Sequence, residues 1–134
     1  MNKIGVSTFI LRFVLGISFF VHGLLKFQAG IGNIAGWFES IGIPGFAAYL
    51  VGTIELVGGI ALILGIGTRL VSVLLGLILI GAIVKVKLAV GFVGAEMAGY
   101  ELDLAFLAIA LFLAVNGSKQ WAMDTFVFNR SANE

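Results

Sequence analysis

The chain has 134 residues, of which 60% are hydrophobic and 11% are charged, and its mean hydropathy is +1.15. A soluble domain of this length could not bury so much apolar surface, so the composition excludes an ordinary water-soluble domain and indicates an integral membrane protein. The net charge of +1 argues against nucleic acid as a partner and leaves the lipid bilayer as the expected surroundings.

Four apolar stretches are each long enough to cross a bilayer, since a helix of about 20 mostly apolar residues spans the hydrocarbon core. They cover residues 5–27, 45–66, 69–90 and 100–115. The four stretches use most of the chain, so residues 1–134 are predicted to form a single domain. We therefore predict an all-α fold, a four-helix transmembrane bundle. The first stretch is expected to be a retained helix, because its apolar part is too long for a cleaved signal.

A short interfacial helix is predicted between the first and second spans. Apolar residues recur there at helical spacing, namely Ile34, Trp37, Phe38 and Ile41. Asn33 is a candidate N-cap and Pro44 closes the segment. Tryptophan is common at membrane interfaces. The C-terminal tail, residues 118–134, mixes charged and aromatic side chains and is also predicted to lie at the interface.

Basic residues near the helix ends predict the orientation, because cytoplasmic loops carry an excess of lysine and arginine. One side of the membrane is predicted to hold Lys3, Arg69, Lys119 and Arg130. The lysines of the other side lie at or inside helix ends. We therefore predict a multi-pass protein with both termini in the cytoplasm.

Ionisable residues within the spans are the main candidates for function. A charged side chain in lipid costs at least about 2.5–3.5 kcal/mol, so it normally faces the interior of a bundle or a polar cavity. The candidates are Arg12, His22, Lys26, Glu55, Arg69, Lys85, Lys87, Glu101 and Asp103.

Helix depth, counted at 1.5 Å per residue, divides these candidates into two predicted layers. The deep layer pairs Arg12 with Glu55, and Arg69 approaches from the cytoplasmic edge. The outer layer holds His22 and Lys26, one lysine from the third span and one acid from the fourth.

Residues two apart on a helix point about 200° away from each other. Only one of Lys85 and Lys87, and only one of Glu101 and Asp103, can therefore fully face the bundle axis. We predict that Lys85 and Glu101 face inward, since Glu101 continues onto a face of small residues. Lys87 and Asp103 are then predicted to reach the outer interface or a neighbouring subunit.

Each candidate also has a purely structural interpretation. Arg12 and Glu55 could form an ion pair that fixes helix register, or they could serve as a proton relay or as the counter-charge of an anionic ligand. His22 could be a packing residue, although its position four residues before Lys26 favours a shared polar cavity. Both interpretations stay open at this stage.

Several kinds of redox chemistry are excluded by the residues that the chain lacks. It has no cysteine and a single histidine. Thiol–disulfide exchange, iron–sulfur ligation and haem held by two histidines of one chain are therefore excluded. No metal site is predicted.

An ordered set of motifs runs through nearly the whole chain. RFVLG occupies residues 12–16, followed by His22 and Lys26. GTIELVGG then occupies residues 52–59, and NGSKQWAMD closes the apolar part at residues 116–124. Together these motifs resemble the DoxX family of small bacterial membrane proteins.

The resemblance implies a four-helix protein of the bacterial cell membrane. Some members of the family are subunits of thiosulfate:quinone oxidoreductases, and others are linked to oxidative or thiol stress and to quinone and catechol handling. It therefore implies an oxidoreductase component whose ligand or cofactor is a quinone. Its partner would be a soluble or peripheral redox enzyme, or a second copy of the chain. The chain itself has no recognisable cofactor motif, which argues against independent catalysis.

The resulting hypothesis is a membrane subunit that binds a quinone-like molecule inside the bundle. His22, Lys26 and Glu101 are expected to hydrogen-bond the ring oxygens, and Arg12 and Glu55 to exchange protons. Two alternatives stay open. One is an oligomeric permease for small molecules or protons. The other is a non-catalytic assembly subunit, in which buried charges only specify packing.

Overall fold

The computed structural model describes residues 3–94 and 99–127, and within these ranges it contains helices and no strand. The helices are α1 (Lys3–Gln28), α2 (Ile31–Ser40), α3 (Phe46–Leu64), α4 (Thr68–Val90), α5 (Tyr100–Asn116) and α6 (Met123–Val127). The all-α prediction is confirmed. Arg130, used above to predict orientation, lies outside the described residues.

Three of the helices are long and apolar enough to cross a membrane. α1, α3 and α4 have 26, 19 and 23 residues, and they match the first three predicted spans. α5 has 17 residues, which gives it a length of about 26 Å and places it at the lower limit for crossing the hydrocarbon core. Its role as a fourth span stays a prediction, as does the interfacial position of α2.

α1 and α3 form the most extensive helix pair, and they run antiparallel. Glycine makes their close approach possible. A Cβ atom on Gly23 would lie 2.6 Å from the backbone nitrogen of Leu56, and one on Gly59 would collide with the backbone of Phe20. These contacts fix the register, so that residues 23 and 56 lie at one level of the bundle.

The remaining helices close a ring around one apolar core. α4 packs mainly on α5, and further contacts join α3 to α4 and α1 to α5. The core consists of Leu15, Phe19, Leu62, Leu75, Leu79, Ala110 and Leu113. The outward faces are apolar as well; Leu70 and Val115, for example, are 66% and 72% exposed. An apolar exterior around an interior that contains charged residues is the distribution expected in lipid.

Glycine sets three of the helix boundaries. Gly65 and Gly67, with φ of +77° and +56°, end α3 and start α4 in the left-handed backbone region that glycine adopts without a Cβ clash. Gly30, with φ of +93°, precedes α2 in the same way. The predicted N-cap role of Asn33 is wrong, because Asn33 lies inside α2 and its side-chain amide donates to the carbonyl of Ala29 at 3.1 Å.

A π-helical turn interrupts α4 at Ile83–Lys87. Such a turn holds one more residue than an α-helical turn, so it rotates the rest of the helix by about one 100° step. In an uninterrupted α-helix, Lys87 would lie about 80° around the axis from the buried Leu79. With the extra residue, Lys87 comes nearly into line with Leu79 and faces the interior.

Candidate functional site

A cavity of about 460 Å³ lies among α1, α2, α3, α4 and α5 at the end of the bundle where α2 sits. Aromatic side chains from three helices line it, among them Phe19, Trp37, Phe38 and Phe106. α2 supplies Trp37 and Phe38 and so forms one wall. The volume falls within the range of about 300–1,000 Å³ that is typical of small-molecule sites.

An ion pair between α1 and α3 forms one polar part of the cavity wall. The Nζ atom of Lys26 lies 2.6 Å from Oε1 of Glu55, and both residues line the cavity. Glu55 is only 4% exposed. The α1–α3 register accounts for the pair, because Glu55 stands opposite the turn of α1 that contains residues 23–26.

A second ion pair joins α4 to α5 across the same cavity. The Nζ atom of Lys87 lies 3.5 Å from Oδ2 of Asp103. Asp103 is buried, and its Oδ2 atom receives no hydrogen bond. The cavity therefore contains two cation–carboxylate pairs that differ in contact: Glu55 has a short charged hydrogen bond at Oε1, whereas Oδ2 of Asp103 is buried without a donor.

His22 lies among these groups. Its ring is 6.1 Å from that of Phe19 and 6.2 Å from that of Phe106, measured between centroids. The side chain lines the cavity and stays accessible. Both ion pairs are close enough to act on the imidazole electrostatically. An accessible imidazole between two aromatic rings and two ion pairs can donate or accept a hydrogen bond from a molecule in the cavity.

The predicted pair between Arg12 and Glu55 is wrong. Arg12 is fully buried at the opposite end of the bundle, where its guanidinium donates to the carbonyls of Ser118, Gln120 and Trp121 at 3.4, 3.2 and 3.0 Å. Glu55 is level with about residue 24 of α1, which is about 12 residues, or about 18 Å, from Arg12. The predicted pair was based on the depth of each residue counted from the ends of its span, and such a count does not reveal how α1 and α3 are aligned.

The prediction that Glu101 faces the bundle axis is also wrong. Glu101 lies exposed in the first turn of α5 and does not line the cavity. Asp103 faces inward instead, because it continues the inward stripe Phe106, Ala110 and Leu113. That stripe of three- and four-residue spacings was the available sequence signal for choosing Asp103.

Of the two lysines in α4, Lys87 makes the ion pair, whereas Lys85 was predicted to face inward. Lys85 also borders the cavity but is exposed. The π turn explains the exchange, since it rotates Lys87 toward the axis. Arg69, predicted near the deep layer, is exposed at the start of α4 and donates to the carbonyl of Asn116 at 3.4 Å.

The surroundings of Arg12 form a second polar cluster, which we call the tail lock: Phe9, Arg12, Gly65, Gly67, Ser118, Gln120, Trp121 and Asp124. In the tail lock, the backbone nitrogen of Gly67 donates to Oδ2 of Asp124 at 2.7 Å, and the backbone nitrogen of Asp124 donates to the carbonyl of Gly65 at 3.2 Å. The ring of Trp121 meets that of Phe9 edge-on, with centroids 4.8 Å apart. No sequence pattern indicated that Asp124 holds the tail against the turn between α3 and α4.

Comparison with known proteins identifies the family. The DoxX family model matches residues 7–88. A protein of Bacillus subtilis (strain 168) named "Putative oxidoreductase CatD" is 46% identical over 134 residues, which cover 99% of this chain and 96% of the relative. "Uncharacterized membrane protein Rv3486" of Mycobacterium tuberculosis (strain ATCC 25618 / H37Rv) is 35% identical over 136 residues, covering 93% of this chain and 83% of the relative. No solved structure matches the chain. The chain therefore belongs to the DoxX family.

Proposed function

We propose that the chain is the membrane component of an oxidoreductase system and that its cavity binds a quinone-like small molecule. The observation that carries the proposal is a cavity of about 460 Å³ with aromatic walls, into which two ion pairs and a histidine converge. Apolar pockets with a few convergent polar groups are the usual form of small-molecule sites.

The residues of the cavity fit a flat ring that carries oxygen atoms. Phe19 and Phe106 offer aromatic faces to the ring, and the aliphatic wall from α3 and α4 suits a tail. His22, Lys26 and Lys87 can donate hydrogen bonds to ring oxygens. These roles replace the one expected of Glu101, which points away from the cavity.

Proton exchange with the ligand is assigned to His22 and Glu55, because both line the cavity. Lys26 holds the carboxylate of Glu55 in place at 2.6 Å. Arg12 takes no part in this exchange, since its guanidinium is bound to main-chain carbonyls at the far end of the bundle. Of the Arg12–Glu55 pair that was expected to relay protons, only Glu55 keeps this proposed role, and its partner is Lys26.

The redox role of the proposal is supported by the name of the Bacillus subtilis relative, "Putative oxidoreductase CatD". The chain has no cysteine that could carry electrons. We therefore propose a soluble or peripheral redox enzyme as the electron-transfer partner, with a second copy of the chain as the alternative.

The proposed placement in the bilayer adds α5 as a fourth span and lays α2 along the interface. Lys3, Arg69 and Lys119 belong to the end of the bundle that holds the tail lock. The positive-inside rule assigns this end to the cytoplasm, with both termini. The cavity then lies toward the outer leaflet, where a membrane-dissolved ligand can enter it between helices.

Titration of the purified full chain in detergent with a short-chain benzoquinone tests the proposal. Trp37 lines the cavity, so its fluorescence reports binding directly. We expect saturable quenching, and affinities about tenfold weaker in His22→Ala and in Lys26→Met, since each loses a hydrogen bond to the ligand. Glu101→Gln is the matched control and should bind as the wild type does. Absence of saturable binding, or unchanged affinity in both cavity variants, would contradict the proposal.

A further inference from the structure

The carboxylate of Asp103 is a buried charged group of the cavity with an unsatisfied acceptor atom. Asp103 is 8% exposed and lines the cavity, yet its Oδ2 atom receives no hydrogen bond. Its ion-pair partner, the Nζ atom of Lys87, is 3.5 Å away. An ionised carboxylate can accept about four hydrogen bonds, and a buried acceptor without a donor is unfavourable.

Glu55 provides the internal comparison. It is as deeply buried as Asp103, and its Oε1 atom has Lys26 at 2.6 Å. The cavity is therefore lined by one carboxylate with a short charged hydrogen bond and by one whose Oδ2 atom is buried without a donor, so that a turn of the Asp103 side chain brings this atom to a ligand.

We propose that Asp103 makes the cavity selective for the reduced, dihydroxy form of the ring, with a ligand hydroxyl donating to the Asp103 carboxylate. This inference rests on the proposed function and specifies which form of the ligand is bound. A hydroxyl group both donates and accepts, so it can donate to Asp103 while it accepts from His22 or from a lysine. A carbonyl oxygen can only accept, and beside Asp103 it would face another acceptor.

The structure of α4 and α5 positions the Asp103 carboxylate on which this selectivity depends. Asp103 continues the buried stripe of α5, and the π turn directs Lys87 toward it. The Nζ atom of Lys87 lies 3.5 Å from Oδ2, and Oδ2 receives no hydrogen bond. A hydrogen bond to a charged acceptor in such a site corresponds to at least about a tenfold difference in affinity.

The test compares three probes on the purified full chain without oxygen: a short-chain benzoquinone, its quinol, and the dimethyl ether of that quinol. The ether matches the quinol in ring and tail but cannot donate. We expect the quinol to bind at least about tenfold more tightly than the quinone and the ether. In Asp103→Asn, which keeps the shape but loses the charge, the ratios should fall toward one. Glu101→Gln should keep the wild-type ratios.

The outcomes separate this inference from the proposal on which it rests. Equal binding of quinol, quinone and ether to the wild type would overturn the selectivity while leaving ligand binding intact. Tighter binding of the quinone would do the same. Failure of all three probes to bind would overturn the proposed function and this inference with it. The wild-type ratios alone decide the matter if Asp103→Asn does not fold.

Discussion

The two ends of this bundle both bury charge, but they satisfy it in different ways. In the tail lock, Arg12 is fully buried and donates to the carbonyls of Ser118, Gln120 and Trp121. At the cavity end, Lys26 pairs with Glu55 and Lys87 pairs with Asp103, and all four side chains border an open volume. One end ties a charged group to main chain, and the other presents charged groups to a space that a ligand can enter.

This difference distinguishes buried charge that is held by main chain from buried charge that borders a cavity. A guanidinium bound by carbonyls of the tail fixes the position of that segment and offers nothing to a ligand. A side-chain ion pair beside a cavity can exchange its partner for a ligand atom, because the partner is itself a side chain that borders the cavity. A charged residue within a span is therefore by itself a weak indication of function. Whether its partners are main-chain carbonyls or side chains beside a cavity is a better guide to its role.

The largest expected effect comes from breaking the tail lock. Arg12→Met removes the donor of three main-chain carbonyls within a buried site. We expect a loss of about 3–5 kcal/mol in the free energy of unfolding, because several partly buried acceptors lose their donor at once and the site of the guanidinium is left empty. Thermal denaturation of the purified protein in detergent measures it as a large fall in Tm.

The control for this prediction is Arg69→Met. Arg69 is exposed and makes one hydrogen bond of 3.4 Å, to the carbonyl of Asn116. Its substitution should change stability by no more than about 0.5 kcal/mol. Equal losses in the two variants would contradict the structural role assigned to Arg12.

A smaller effect is expected from breaking the ion pair at the cavity. Lys26→Met leaves the buried carboxylate of Glu55 without its cation and should lower stability by about 1–3 kcal/mol. In the double variant Lys26→Met with Glu55→Met, most of the stability should return, since apolar replacement of both members of a buried pair is often neutral. Benzoquinone affinity should stay low in both variants.

This double-mutant cycle has no counterpart in the tail lock. Arg12 donates to the Ser118 hydroxyl and to three main-chain carbonyls, and a second substitution cannot remove the carbonyls. Tm and ligand affinity are measured on the same four proteins. If the double variant regained both stability and ligand binding, the ion pair would be a packing device, and the assembly-subunit interpretation of this protein would be favoured.

The helices of this fold could be predicted from the sequence with more success than the site. Runs such as Phe46–Leu64 are mostly apolar even with Glu55 in them, so length and hydropathy are sufficient to find them. Hydropathy does not reveal which side of a lipid-exposed helix faces inward, because both sides are apolar. α5 is the clearest case: its exposed Leu102 and Leu111 are as apolar as the buried Leu113, and the choice between Glu101 and Asp103 was made wrongly.

Two other features of the site depended on three-dimensional information. The Lys26–Glu55 pair depends on the α1–α3 register, which is set by close contacts at Gly23 and Gly59. The inward position of Lys87 depends on a π turn, which no composition signal marks. Several of the ionisable residues predicted from the sequence line the cavity, whereas their pairing depends on the helix register and on the π turn.

The smallest expected effect concerns Asp124, the one carboxylate of the tail lock. Its Oδ2 atom accepts from the backbone nitrogen of Gly67 at 2.7 Å, beside the N-terminus of α4. Asp124→Ala removes this hydrogen bond and a favourable charge near the helix terminus, so stability should fall by about 1 kcal/mol. Asp124→Asn keeps an acceptor, so its stability should lie between that of the wild type and that of Asp124→Ala. Benzoquinone affinity should not change, because Asp124 belongs to the end of the bundle opposite the cavity. A loss of affinity in Asp124→Ala as large as that in His22→Ala would mean that the two ends are coupled, and the separation of structural from ligand-binding charge would then fail.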